Sequence, residues 1–242
     1  FNFWRALTDN DLGWKVDQKM EVWKNEAQNY RLMQFDVMSS DVNVVKVKSV
    51  FQFENTKSSA VVVHQIYSDG TIYIDFEMDI PESAPNVPRI GLQFDLDKKF
   101  QNIEWYGRGP HENYIDRKTS AAVGLYEATL TNWITDYVRP QENANRSDIR
   151  WITFSSDDKS SMTFSSVGKG KFSASAWPYS QNVLDSASHN FKLMPSEHTV
   201  VNIDCAQMGV GGDNSWGLPV LEQYQLKPGK YNYGFILQSV FE

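Results

Sequence analysis

Cysteine is nearly absent. Cys205 is the single cysteine in 242 residues, and one thiol cannot close an intrachain disulfide. It lies in the strand-like run Thr199-Val200-Val201-Asn202-Ile203-Asp204-Cys205, so a buried, inert thiol is expected. The lack of disulfides leaves cytoplasm and periplasm both open. No apolar run approaches the roughly 20 residues of a membrane helix, and no membrane partner is expected. No basic run interrupts the acidic balance, a net charge of −7, which argues against a nucleic-acid partner. Helical periodicity is scarce too. Val22 to Arg31 offers Trp23, Ala27 and Tyr30 at i, i+4 and i+7, and Ser180 to Ala187 suggests another turn or two. Without long amphipathic helices between strands, a β/α barrel is disfavoured. An initiator methionine is also missing: the chain opens at Phe1-Asn2-Phe3-Trp4, already strand-like. It reads as one domain, residues 1–242, cut from a longer polypeptide.

What the chain has is period-two alternation. In Thr71 to Ile80, residues Ile72, Ile74, Phe76, Met78 and Ile80 share one face, and Thr71, Tyr73, Asp75, Glu77 and Asp79 the other. The preceding run, Ala60 to Tyr67, joins it through Ser68-Asp69-Gly70, a hairpin signal. Val45, Val47, Phe51 and Phe53 alternate with Lys46, Lys48, Gln52 and Glu54. Further strands are expected at Arg89–Leu96, Ile103–Tyr106, Val123–Ala128, Ile149–Phe154, Met162–Ser165, Phe172–Trp177, Val200–Cys205 and Tyr231–Ser239. Many strands without a fixed repeat predict an all-β protein, one large antiparallel sandwich.

Four loops hold most of the polar chemistry: Thr8 to Gly13, Tyr106 to Arg117, Arg139 to Arg146, and Met208 to Gly217. The first is no calcium loop, because its fifth position from Asp9 is Gly13 and no Glu follows at the twelfth. Glycosidase chemistry wants two carboxylates astride the scissile bond. Glu112 and Glu142 could be nominated, but each sits near an arginine, Arg117 and Arg146, as in charge-paired corners. A sugar epimerase wants a paired acid and base, and only His111, beside Glu112, sits in a suitable loop. No Ser-His-Asp set, phosphate loop or zinc spacing is evident. The fourth loop is the most informative. Gly209, Gly211 and Gly212 free the backbone, and Asp213, Asn214 and Ser215 precede Trp216. That ring either plugs the core or offers a flat apolar face to a sugar.

Taken together, the blocks resemble the C-terminal small domain of the large β-galactosidases of glycoside hydrolase family 2. The matching residues are Phe3-Trp4-Arg5-Ala6 with Thr8-Asp9-Asn10-Asp11-Leu12-Gly13, and Pro88-Arg89-Ile90-Gly91-Leu92. They continue with Gly107, Gly109-Pro110, Glu112-Asn113-Tyr114 and Asp116-Arg117, then Pro140-Gln141-Glu142-Asn143 and Arg146. Last come Met208-Gly209, Gly211-Gly212-Asp213 and Ser215-Trp216. The resemblance implies a galactose-mutarotase-like antiparallel supersandwich with few short helices. It implies partnership with a catalytic β/α barrel elsewhere in the same polypeptide, which supplies both glutamates of a retaining mechanism. No residue of this chain would then be catalytic, and the fragment alone would be inactive. The substrate implied is a terminal β-galactoside such as lactose, with Trp216 stacking on the sugar. Gly13, Trp14, Asp213, Asn214 and Ser215 would line the pocket loops, Gly13 serving as hinge of a mobile segment to Asp17. Magnesium and sodium would belong mainly to the barrel, with no metal or cofactor here, and the parent would be a homo-oligomer. A stand-alone carbohydrate-binding sandwich and a mutarotase-like epimerase are the alternatives. Two departures stand out: Asn214 where the family often has Asp, and Ala144 where it often has Gly, a strained choice if that position needs positive φ.

Overall fold

The computed structural model describes residues 1–212, 214 and 217–241. Asp213, Ser215 and Trp216, three of the expected pocket residues, lie outside the described residues. Every named strand pairing is antiparallel. One sheet has nine strands: β1 (Tyr30–Ser40), β2 (Val44–Phe53), β3 (Ser59–Tyr67), β4 (Ile72–Ile80), β13 (Gly229–Val240), β10 (Ser161–Ser166), β9 (Trp151–Ser155), β6 (Asn102–Gly109) and β7 (Ala122–Thr129), in that spatial order. The other has four: β5 (Arg89–Asp97), β12 (His198–Gln207), β11 (Phe172–Trp177) and β8 (Arg146–Ile149).

The β3–β4 hairpin forms as its sequence predicts, with Ile66 opposite Ile72 and Gly70 at φ +84°. Asp69 Oδ1 accepts from the Thr71 N–H and ties the turn. Ile74, Phe76, Met78 and Ile80 are buried while Glu77 and Asp79 face solvent, which is the alternation read from the chain. Apolar faces of the two sheets meet through aromatic rings. Phe94 of β5 lies 5.1 Å from Phe164 of β10 and 6.0 Å from Phe235 of β13, centroid to centroid.

Two expectations are corrected. Ile149–Phe154 is not one strand. The chain leaves the small sheet after Ile149, turns at Arg150 and enters the large sheet at Trp151. The helical period from Val22 ends early: α3 spans Val22–Glu26, and Tyr30 already begins β1. Trp23 is buried in the core, so the helix is held at its start, whereas Tyr30 is exposed and its ring packs on Phe51 and Phe53 of the sheet.

The outward face of the small sheet decides where a site can form. Along β12, Val201 and Ile203 join the core, so Asn202 and Asp204 point to the opposite face. Register places Ser175 and Gln93 beside Asn202, and Gly91 beside Asp204. The first residues of the chain cover this polar face. Asn2 bridges to Gly91 through backbone pairing and donates from Nδ2 to Asn202 Oδ1 at 2.8 Å. α1 (Asp9–Gly13), α5 (Gln181–Ser186) and the loop from Arg139 complete the layer. The polar outer layer of the small sheet is hydrogen-bonded rather than apolar.

Candidate functional site

The first and second polar loops hold the Met208–Gly211 base of the fourth, and the third braces the first. Thr8 caps α1 through its side chain, and Asp11 closes a capping box onto the Thr8 N–H. The same Asp11 carboxylate receives Arg5 in a two-pronged ion pair, Nε at 3.0 Å and Nη2 at 2.7 Å, with both side chains buried. Arg5 then spends its remaining donors on the glycine loop, reaching Met208 O at 2.6 Å and Gly209 O at 2.9 Å. Asn10 Nδ2 donates to Val210 O at 3.0 Å.

From the second loop, Asp116 Oδ2 accepts the Gly211 N–H at 2.7 Å. A Cβ at Gly209 would stand 2.7 Å from that carboxylate, and one at Gly211 would stand 3.0 Å from Oδ2. Close approach, not positive φ, is therefore why glycine is required at these two positions. Gly212 folds back on the Asn214 carbonyl, where a Cβ would fall at 2.9 Å. Asn214 is exposed. The third loop locks the first: Arg139 Nε donates to Asp9 Oδ1 at 2.7 Å, and the Glu142 N–H to Ala6 O at 2.9 Å. That arginine holds the Asp9 carboxyl below its usual range.

Gly13 is brought to the loop, since a Cβ at Gly217 would lie 3.4 Å from the Gly13 carbonyl oxygen. From Gly13 to Asp17 the backbone passes from one short helix to the next through a turn. α1 runs through Gly13 and α2 begins at Val16, with Lys15 between them at φ +67°. Trp14 is a further correction: its ring is buried in the core with Val16 and offers no face to a ligand. An indole one residue past a helix end finds apolar neighbours more readily than solvent.

Both nominated carboxylates are ion-paired. Glu112 meets Arg117 at 2.5 Å, is hydrogen-bonded by the Tyr137 hydroxyl, and accepts the Ala144 N–H at 2.8 Å. Ala144 sits at φ +67°, so the departure from glycine does occupy left-handed backbone. Glu142 is fully buried, and its partner is Arg89 at 2.7 Å, not the neighbouring Arg146. Arg146 instead lies over Trp133, 4.2 Å from the ring centroid, and donates to Pro110 O. Burial brings its guanidinium down to about 10. His111 turns to Ser120, away from any acid–base pairing with Glu112.

Arg89 also meets Asp204 at 3.2 Å, so one guanidinium serves two fully buried carboxylates. Burial pushes Asp204 up to about 7, with Arg89 opposing and Glu142 reinforcing. Glu142 is raised as well, by burial first. Gly91 makes room for this: a Cβ there would fall 2.0 Å from Asp204 Oδ1. This triad escaped sequence reasoning. Its signal was an arginine and a glycine inside an apolar strand, Arg89-Ile90-Gly91-Leu92. Cys205 is partly buried, and burial together with Asp204 raises its thiol to about 12, an inert group as expected.

The model of the family "Beta galactosidase small chain" matches residues 1–237. The chain belongs to the β-galactosidase small chain family. It is 36% identical over 240 residues to a β-galactosidase of Priestia megaterium, covering 99% of this chain and 23% of that protein. A β-galactosidase of Streptococcus thermophilus is 32% identical over 241 residues, with the same coverage, 99% and 23%. The chain thus spans 23% of the length of these curated relatives. Among solved structures it is similar to a GH36 α-galactosidase variant of Geobacillus stearothermophilus (10% identity, 87% of this chain, 28% of that one, TM-score 0.48). It is also similar to a galactose 1-epimerase of Lactobacillus acidophilus (8% identity, 88% of this chain, 66% of that one, TM-score 0.46).

Proposed function

We propose that this chain is the C-terminal, substrate-completing domain of a retaining β-galactosidase, and that Trp216 covers the sugar ring. The catalytic barrel would lie elsewhere in the same polypeptide, and the parent would be a homo-oligomer acting on terminal β-galactosides such as lactose. One observation carries this reading: Arg5, Asn10 and Asp116, from two separate blocks of the chain, hold the backbone of Met208 to Gly211, the base of the tryptophan loop. Anchors at the base of the loop fix the point from which the segment carrying Trp216 departs, which favours stacking on a pyranose. Gly13, at the end of α1, abuts the same loop at Gly217.

Magnesium and sodium belong to the barrel in this reading. Among the described residues no three His, Cys, Asp or Glu side chains form a group that could hold a metal ion. The buried carboxylates Glu142 and Asp204 already face Arg89.

The test is Trp216→Ala in the full-length enzyme. The expected result is a loss of at least about tenfold in kcat/KM, the equivalent of about 1.4 kcal/mol of lost ring contact. The melting temperature should stay within about 2 °C, as for substitutions outside a core. Unchanged kcat/KM would remove Trp216 from the site, and a large fall in melting temperature would make it a core residue.

A further inference from the structure

The two sheets differ in width, and the difference leaves apolar surface open. Gly107 of β6 abuts Ile149 of β8 at one end of the small sheet, and Phe94 of β5 packs on Phe164 and Phe235 at the other. β5 is the last strand of its sheet, whereas the large sheet runs on from β13 through β4, β3 and β2 to β1. Paired residues share a face, so register carries the core-facing side out to the edge. Ile74 pairs with His64, His64 with Val47, and Val47 with Val37. Leu32 and Phe35 of β1 and Ile66 of β3 lie on this same side, opposite Phe51, Ser49 and Ile72. Phe35 is 60% exposed, Val37 58%, Leu32 53% and Ile66 41%. The other side of β1 carries Arg31, Gln34, Asp36 and Ser39. β1 therefore turns its apolar side inward, over the uncovered end of the large sheet. An apolar patch of this kind marks an interaction surface.

The first residues of the chain point to what covers it. Asn2 exchanges two backbone hydrogen bonds with Gly91, donating at 2.9 Å and accepting at 3.1 Å. This is the first pair of a strand antiparallel to β5 on its open edge. Such pairs recur at every second residue, so the N–H and C=O of Gln93 and Asp95 point to the same open edge. The direction also fits. Phe1 stacks against Phe53 and Phe76, while Phe94 stands by Phe235, the partner of Ile74. Passing from Gly91 to Asp95 thus moves along the large sheet from Phe76 towards Ile72 and Ile66, the exposed corner. Polypeptide joined ahead of Phe1 in this register would run over that corner. The curated relatives have the length for it, since the chain spans 23% of them. A second copy pairing along β1 fits less well, because bulges at Met33 and Met38 break that edge.

We propose that in the parent polypeptide the segment immediately preceding Phe1 extends the small sheet past β5 and seats its apolar side chains on the inner face of β1 to β3. This rests on the reading of the chain as the C-terminal part of a longer protein, and not on the role of Trp216. The added segment is extended and amphipathic. Alternate side chains, in line with Phe1, turn onto Val47, Ile66 and Phe35, and the intervening ones join the polar outer side with Gln93.

The experiment uses the full-length protein, with photoreactive p-benzoylphenylalanine replacing Phe35 and, in a second variant, Ile66. Two sites are used so that one variant failing to fold leaves the other. After irradiation the products are sized on a denaturing gel and mapped by mass spectrometry. Two or three strands with their turns would suffice to cover β1 to β3, so the expected cross-link keeps the mass of one polypeptide and falls within about 40 residues before Phe1. Amide hydrogen exchange of the unaltered protein is measured alongside. Gln93 and Asp95 should exchange at least about a hundredfold more slowly than an unstructured peptide. A product of twice the mass would give the face to a second copy and overturn the proposal. A cross-link to a more distant part of the polypeptide, or none from either site, would overturn it too. So would rapid exchange at Gln93 and Asp95, whatever the cross-link. The mass of the intact protein tests the reading as a longer polypeptide separately. The role of Trp216 is read from kcat/KM and stands or falls apart from either result.

Discussion

Asp116 stands between two glycines that exist to let it in. Its one strong contact to the fourth loop is the Gly211 N–H, a charge-assisted bond of 2.7 Å. Asp116→Ala should leave that N–H without its acceptor and loosen the loop while sparing the core. In the full-length enzyme we expect KM to rise several-fold with a melting temperature within about 2 °C of the parent; steady-state kinetics and a thermal scan check both. Ala144 poses a finer balance. Left-handed backbone costs an alanine about 1–2 kcal/mol. Glycine would relieve that, but it loses a buried methyl worth about 0.8 kcal/mol and adds up to about 1 kcal/mol of unfolded-state entropy. Ala144→Gly should therefore change unfolding free energy by less than about 1 kcal/mol in urea titration. A burial-only view would expect clear destabilisation, and a strain-only view clear stabilisation.

At the scale of elements, α1 is only five residues long and cannot stand by propensity alone. Its cap and its ion pair make it. Thr8→Ala removes the acceptor for the Asp11 N–H at 3.1 Å and should cost about 1 kcal/mol, a fall of about 2–4 °C in melting temperature. Calorimetry of the two proteins tests this. Strands were the legible part of the chain, because alternation is a local property: β4, β5, β11 and β13 fall where Thr71–Ile80, Arg89–Leu96, Phe172–Trp177 and Tyr231–Ser239 were read, to within one or two residues at each end. What local pattern could not carry was partnership. Nothing near Glu142 in sequence says that Arg89, 53 positions away, neutralises it. Nothing in Tyr30–Ser40 announces a strand, since Leu32, Phe35 and Val37 are exposed at the sheet edge and no buried face imposes a period. The loop blocks were visible as motifs, yet the reason for their glycines appeared only once Asp116 was seen against them.

For the molecule as a whole, the Arg89 triad sets a pH dependence. Asp204 titrates at about 7 when folded, against an ordinary value of 3.8. Its folded form holds a proton that the unfolded chain releases across that interval. Its contribution is therefore complete below about pH 4 and is lost as pH climbs towards 7. Asp204→Asn keeps one carboxylate for one guanidinium and cannot ionise. Relative to the parent, the variant should gain stability between pH 4 and pH 8, by an amount on the order of a few kcal/mol. Chemical denaturation at four pH values reads it, and parallel curves for the two proteins would mean that Asp204 is ionised throughout. Both carboxylates of this triad lie under the N-terminal segment, against the outer face of the small sheet, where Arg89 offsets their charge.

The hand-over at Arg150 has a mechanical meaning. One ribbon, Arg146 to Ser155, is stitched first into the smaller layer and then into the larger. Neither layer can peel away while that ribbon stays zipped to the other. Heat should thus dismantle both together, in a single calorimetric peak whose enthalpy matches the van't Hoff value, and no half-melted species with one surviving layer should accumulate on the way.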